Sequence, residues 1–229
     1  MAVKLALSRR RGDAVSSGDG EIENLVIAGW TGRDAAAVEK HIRELEEIGV
    51  KRPSRTPIFY RVAASLLTTA EAIQVVGGDS SGEVEFVMLS LVDGSWVGVG
   101  SDHTDRKVEA VDVTVSKQMC AKVIGREVWH YEDVAPHWDR LVLRSWAHID
   151  GKRTLYQEGA VAGMRHPEEL TRLYTGRSAL PPGTAMFGGT HAVHGGVRPA
   201  SQFDIELDDP VLGRKITHSY RIESLPVEA

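Results

Sequence analysis

The sequence predicts an α+β fold in which strands dominate and helices are few. Short runs of β-branched and aromatic residues recur along the chain between turns that carry glycine or proline. Two Asp-Gly pairs, Asp93-Gly94 and Asp150-Gly151, each stand between apolar stretches, which is the pattern of a tight hairpin. Helical periodicity surfaces in only two places and never alternates with strands as a βαβ chain would.

Residues 8–20, SRRRGDAVSSGDG, are polar and rich in Gly and Ser. Residues 1–21 are therefore expected to form a leader, as a loose strand or loop, ahead of one domain over residues 22–229. Leu25 to Ala28 suits a short buried strand. Asp34 opens a helix in which Val38, Ile42 and Leu45 recur at helical spacing and Gly49 ends the run. Pro53 and Pro57 break the chain after that helix, and Ile58 to Tyr60 and Ala72 to Val76 read as strands. Glu83 to Ser101 reads as two strands about Asp93-Gly94, and residues 141–159 as a second hairpin about Asp150-Gly151. His166 to Thr175 is helical, with Pro167 tolerated in the first turn. Ser201 to Leu207 and Lys215 to Glu223 complete the strands.

A chain of 229 residues is long enough for one well-buried core and short for two. A net charge of -5 and a pI near 6.0 lack the basic footprint of a nucleic-acid binder, so no nucleic acid is expected as partner. The single cysteine, Cys120, excludes an intramolecular disulfide, and no apolar run approaches the roughly 20 residues that cross a bilayer. The N-terminus puts its arginines after its apolar residues, opposite to a secretory signal, and cytoplasmic residence is the default expectation. There is no Walker or GxGxxG phosphate loop.

Glu83 and Glu85, two apart on a strand, present their carboxylates on one face, and the hairpin returns the chain to Asp102. Oxygen ligands so grouped suit a hard divalent cation, although acids at alternate strand positions are more often a solvated face. His41 and Glu44, three apart, share one helical face, again a pattern that is usually exposed. His191 and His194 invite a zinc reading, but no third soft ligand is spaced nearby. Cys120 has no cysteine-hydrolase context and reads as a small buried hydrophobe.

Taken in order, several blocks resemble the fumarylacetoacetate hydrolase (FAH) family. GEVEF followed by SDHTDR is similar to that family's Glu-x-Glu and Asp-x-x-x-Arg elements. GRDAAAVEKHIREL resembles the segment that carries its His-x-x-Glu pair. RPSRTPIFYRVAASLL and LPPGTAMFGGTHAVHGG resemble its Pro-x-x-Phe-x-Lys-Pro-Ser stretch and its late Gly-Thr loop. The resemblance covers most of residues 30–223. It implies a mixed β-roll or barrel with few helices, Mg²⁺ or Mn²⁺ held by Glu83, Glu85 and Asp102, and a small 2-oxo acid as substrate. It also implies His41 and Glu44 as a water-activating pair and Lys122, with Lys117 as a rival, stabilising negative charge. Arg61, Arg106, Gly189 and Thr190 would contact substrate, Arg106 alternatively bracing the acids, and a homodimer is expected.

The resemblance further implies a hydrolase cutting a C–C bond in an acylpyruvate-like 2,4-dioxo acid. The alternative is a decarboxylase, tautomerase or hydratase of the same superfamily, and a catalytically silent binding module is a third reading. Three positions depart from the family pattern: Arg61 where lysine is usual, His191 in place of a proline, and Gly163 where an Asp is common. These departures bear on the substrate more than on the cation.

Overall fold

The computed structural model describes residues 2–47 and 52–228, with the side chains of His41, Glu44 and Leu45 outside that description. The chain begins with a hairpin of β1 (Val3–Arg11) and β2 (Ala14–Ile22). Next come β3 (Asn24–Gly29), α1 (Ala35–Glu47) and the strands β4 (Ile58–Val62), β5 (Leu67–Thr68), β6 (Ala72–Val76) and β7 (Ser80–Ser81). A long hairpin of β8 (Val84–Leu91) and β9 (Gly94–Ser101) leads through β10 (Thr104–Asp105) to α2 (Arg106–Glu109) and α3 (Val113–Met119). Then come β11 (Lys122–Ile124), β12 (Glu127–His130), α4 (Tyr131–Val134), β13 (Val142–Ile149) and β14 (Lys152–Ala160). The last elements are α5 (Pro167–Thr175), β15 (Thr184–Phe187), β16 (Gln202–Asp209) and β17 (Arg214–Leu225). This is the mostly-β α+β class that the patterning predicts.

The larger sheet runs β2-β1-β12-β9-β8-β15-β3-β4, with β11 bonded to β9 and β5 to β11. Leu5 and Leu7 of β1 share one apolar cluster with Tyr60 and Val62 of β4, although those strands stand near opposite ends of that order. A sheet brings such strands together only by curling, so this face is the inside of a half barrel. The opposite face carries Val84, Phe86, Val97, Val99 and Trp129, which pack on Leu143, Ile205, Leu207 and Ile216 of the second sheet. That sheet has the order β14-β13-β16-β17-β6.

The N-terminal segment departs from the loose leader expected of it. β1 pairs with β2 and, in parallel, with β12, and Leu5, Leu7 and Ile22 are buried. The physical reason is an edge position: β2 exposes most of its residues, so a polar, Gly-rich sequence suffices there. Both hairpins occur. Asp150 and Gly151 each take positive φ, 49° and 74°, as a type I′ turn requires. In the other, Leu91 pairs with Gly94, so the tip is Val92-Asp93, one residue earlier than expected.

α1 starts where Asp34 suggests: its Oδ1 accepts hydrogen bonds from the amides of Ala36 and Ala37. Gly49, its expected terminator, lies outside the described residues. The second helix that the sequence predicts is α5, closed by Gly176 at φ 70°. Among the described residues no helix is long and apolar enough to cross a membrane.

Candidate metal centre

Alternation along β8 explains why acids meet at one end of the half barrel. Val84, Phe86 and Met88 face the second sheet, and Val87, Leu89 and Leu91 face the barrel interior. Glu85, and Glu83 just ahead of the strand, share the interior side. On β9 the interior positions are Trp96, Gly98 and Gly100, and Asp102 continues the series. A Cβ at Gly100 would stand 2.6 Å from Val87 Cγ2 and 2.8 Å from the Val123 carbonyl oxygen, so only glycine lets these strands close here.

The register does the rest. Glu85 pairs with Gly100 and Val84 with Ser101, and the Asp102 amide donates to the Glu83 carbonyl at 3.0 Å. Glu83 therefore lies directly opposite Asp102, with Glu85 on the diagonal. One oxygen from each of the three carboxylates falls within 4.8 Å of the others. Two ligands on opposite sides of one Mg²⁺ stand ~4.2 Å apart, so a small inward movement would close the trio on an ion. Among the described residues this is the one such group of His, Cys, Asp or Glu. His191 and His194 form no comparable cluster.

Like charges so placed repel, and three cationic side chains answer two of them. Arg106 Nη1 lies 3.1 Å from Glu83 Oε1 and 2.7 Å from Glu109 Oε2, and its Nε donates to Ser81 Oγ. Lys117 Nζ lies 3.1 Å from Glu83 Oε2, 2.7 Å from Asp102 Oδ2 and 3.3 Å from Glu109 Oε1. Lys122 Nζ is 2.7 Å from Asp102 Oδ1 and donates to the His103 carbonyl at 2.6 Å. Burial works against the charge on Glu83, yet Arg106 and Lys117 hold it below its ordinary value. Burial likewise opposes Asp102, and Lys117 and Lys122 prevail strongly.

Glu85 is the exception. Burial first, then the charges of Asp102 and Glu83, push its carboxyl well above the usual range. The Gly189 amide, donating at 2.7 Å to Oε2, only partly opposes this. Hard oxygen donors and a buried carboxyl, Glu85, whose charge its two acid neighbours oppose fit a divalent ion. A soft zinc or copper site would call for nitrogen or sulfur ligands.

The loop after β15 forms the adjoining wall. Gly189 holds φ at 105°, and a Cβ there would meet Thr31 Oγ1 at 1.8 Å. The Thr190 hydroxyl donates to the Val84 carbonyl at 2.7 Å and accepts from Gln157 Nε2 at 2.7 Å. Gln157 also accepts hydrogen bonds from the Val84 amide and Ser145, tying this loop to β8. Two departures from the FAH pattern meet here: a Cβ on Gly163 would stand 3.0 Å from His191 Cε1, so the small residue leaves room for the imidazole.

The other expected site residues divide. Arg61 is not brought to the acids. It pairs with Asn24 and Tyr174, because alternation on β4 gives the barrel interior to Tyr60. Tyr60 lies in the electrostatic reach of Lys117, Glu109 and Asp102, and burial raises its phenol. His41 and Glu44 lie on α1, but their side chains are outside the described residues. Cys120 is buried and burial raises its thiol, as suits a packing residue. Sequence reasoning missed Glu109, three residues after Arg106, whose spacing would have signalled the pair. It also missed Tyr60 and Gln157, which carry no local signal, and the buried network of His103 with Tyr220 and Ser80.

No curated protein matches the chain. Among solved structures it is similar to Cg1458 with inhibitor, at 17% identity and TM-score 0.65, covering 92% of this chain and 81% of that one. It is similar also to 2-keto-3-deoxy-D-arabinonate dehydratase complexed with magnesium and 2,5-dioxopentanoate, at 16% identity and TM-score 0.63, covering 90% and 74%. The apo form of that dehydratase matches at 15% identity and TM-score 0.62, covering 93% and 85%. At such identities the likeness concerns the fold. The family model described as protein of unknown function (DUF2848) matches residues 28–220, so the chain belongs to the DUF2848 family.

Proposed function

We propose that the chain is a divalent-cation-dependent enzyme of the FAH superfamily acting on a 2-oxo acid, with Mg²⁺ or Mn²⁺ held by Glu83, Glu85 and Asp102. The observation that carries this is the convergence of three carboxylates on the barrel interior, one of them, Glu85, pushed towards its neutral form by burial and by the other two. A bound divalent ion supplies Lewis acidity, neutralising charge that gathers on the 2-oxo oxygen when a bond at the neighbouring carbon breaks. The chain's own cations add to that. Lys122, wholly buried and fixed by Asp102 and the His103 carbonyl, holds its ammonium beside the trio, where it favours negative charge on substrate. Arg106 keeps Glu83 ionised and aimed, and the Gly189 amide orients Glu85. Gln157 and Thr190 fix the loop against which the substrate would lie.

Within this reading, a lyase that eliminates or adds water next to the 2-oxo group has the better support. The trio and Lys122 would stabilise the negative charge that such a step develops, and a similarly folded dehydratase is complexed with magnesium and 2,5-dioxopentanoate. Hydrolysis of a C–C bond in an acylpyruvate-like substrate is the second reading, favoured by His41 and Glu44 falling three apart on α1. Assays with Mg²⁺ or Mn²⁺ on a 2-oxo-3-deoxy sugar acid, an acylpyruvate and oxaloacetate separate them. Turnover of the sugar acid that survives His41→Ala is the lyase outcome. Acylpyruvate cleavage abolished by His41→Ala is the hydrolase outcome. Failure of every 2-oxo acid, with either ion, would refute both.

A further inference from the structure

All four carboxylate oxygens of Glu83 and Asp102 already face a cationic nitrogen. Glu83 Oε1 meets Arg106 and Asp102 Oδ1 meets Lys122, while the remaining two, Glu83 Oε2 and Asp102 Oδ2, are bridged by Lys117. One oxygen from each acid facing one positive centre is also how a bridging metal ion would sit. Lys117 is held there by the local fold. Asp112 caps α3 by accepting from the Val115 amide, and the lysine side chain is only 8% exposed. An ion bonded to either of the bridged oxygens would lie within ~5 Å of Nζ, where two positive centres in a poorly solvated site repel strongly.

The same ammonium has two further partners, the buried Thr104 and the partly exposed Glu109. Thr104 Oγ1 and Glu109 Oε1 are both 3.3 Å away, and Glu109 is the more exposed acid of the group. A short swing of the lysine tip would exchange the bridged pair for Glu109 without leaving the charge unpaired.

Resting on the cation reading above, we propose that Lys117 is a built-in stand-in for the divalent ion: it bridges Glu83 and Asp102 and must withdraw towards Glu109 before the ion can bind. The chain then tolerates loss of its ion, because two of the clustered acids keep a counter-charge. The ion in turn binds more weakly than the trio alone would allow, since it must displace an internal competitor.

The test is titration calorimetry of purified protein with Mg²⁺ and Mn²⁺, alongside thermal melts with and without ion. Lys117→Met keeps most of the apolar stem and removes the charge. It should bind either ion at least tenfold more tightly than wild type and, without ion, melt at a lower temperature. Ion affinity within twofold of wild type, or weaker, overturns the proposal while leaving the cation site intact. Binding by the variant but not by wild type would make Lys117 a permanent replacement for the ion and overturn both the withdrawal and the reading it rests on. Binding by neither refutes both this inference and the reading it rests on. Should Lys117→Met not fold, Glu109→Gln carries the test: removing the outer partner should weaken ion binding several-fold, and unchanged or tighter binding overturns the proposal.

Discussion

Glu85 concentrates the physical tension of the site. It is buried beside two ionised acids and has one backbone amide to steady it, so in the absence of a divalent ion its charged form is disfavoured. Because its folded pKa is raised, the favourable contribution of its neutral form is present below the ordinary carboxyl range and is lost as pH rises. At neutral pH, Glu85→Gln should therefore stabilise the ion-free protein by about 1 kcal/mol, read as a rise of about 2–4 °C in Tm. The proposed site predicts an upward Tm shift with Mg²⁺ for wild type, which the same variant should lose. A lower ion-free Tm together with an intact Mg²⁺ shift would remove Glu85 from the ligand set.

His103 acts in the opposite sense. Burial, then Lys122 and Arg106, depress its imidazole to about 3, against an ordinary value of 6.5. The unfolded chain takes up a proton that the folded chain refuses, so this contribution is complete above 6.5 and fades as pH falls towards 3. Melts should show Tm dropping between about pH 6.5 and 4, and His103→Gln should flatten part of that slope. An unchanged slope in the variant would assign the loss to the carboxylate ion pairs instead.

At the scale of elements, the hairpin of β8 and β9 is what makes the site. Asp-Gly turn chemistry and strand patterning make it legible in sequence, and the two-residue period puts Glu83 and Glu85 on one face. The opposition of Glu83 to Asp102 is less legible, because it depends on register, and the tip at Val92-Asp93 shifts that register from the expected one. Gly100 is the point of closest closure. Gly100→Ala should cost about 1–3 kcal/mol through overpacking against Val87 and the Val123 backbone, and it should weaken ion binding by spreading the acids. A variant that melts and binds as wild type would mean that the strands have room the packing does not show. Arg61 is turned away from the interior for the converse reason: one step along β4 moves a side chain to the other face, and Tyr60 holds the inner position.

On the scale of the whole molecule, the half barrel depends on the N-terminal hairpin whose sequence looks dispensable. Leu5, Leu7 and Ile22 are buried against the same interior cluster that leads up to the acids. Burying such side chains contributes ~1.5–3 kcal/mol each, a sum comparable to the whole stability of an ordinary domain. A chain starting at residue 23 should accordingly fail to fold cooperatively, and a truncated protein melting near the wild-type temperature would contradict this. The segment is opaque in sequence because an edge strand can be polar on nearly every residue. The acid trio is easier to read because motif order along the chain carries it.

That these three acids hold one divalent ion is tested most directly by a crystal structure grown with Mn²⁺ and measured for anomalous scattering. The expected result is a single strong peak on the barrel interior, bonded to one oxygen each of Glu83, Glu85 and Asp102, with Lys117 Nζ drawn towards Glu109. An anomalous map with no peak among these acids, and Lys117 still bridging Glu83 and Asp102 at saturating Mn²⁺, would contradict it.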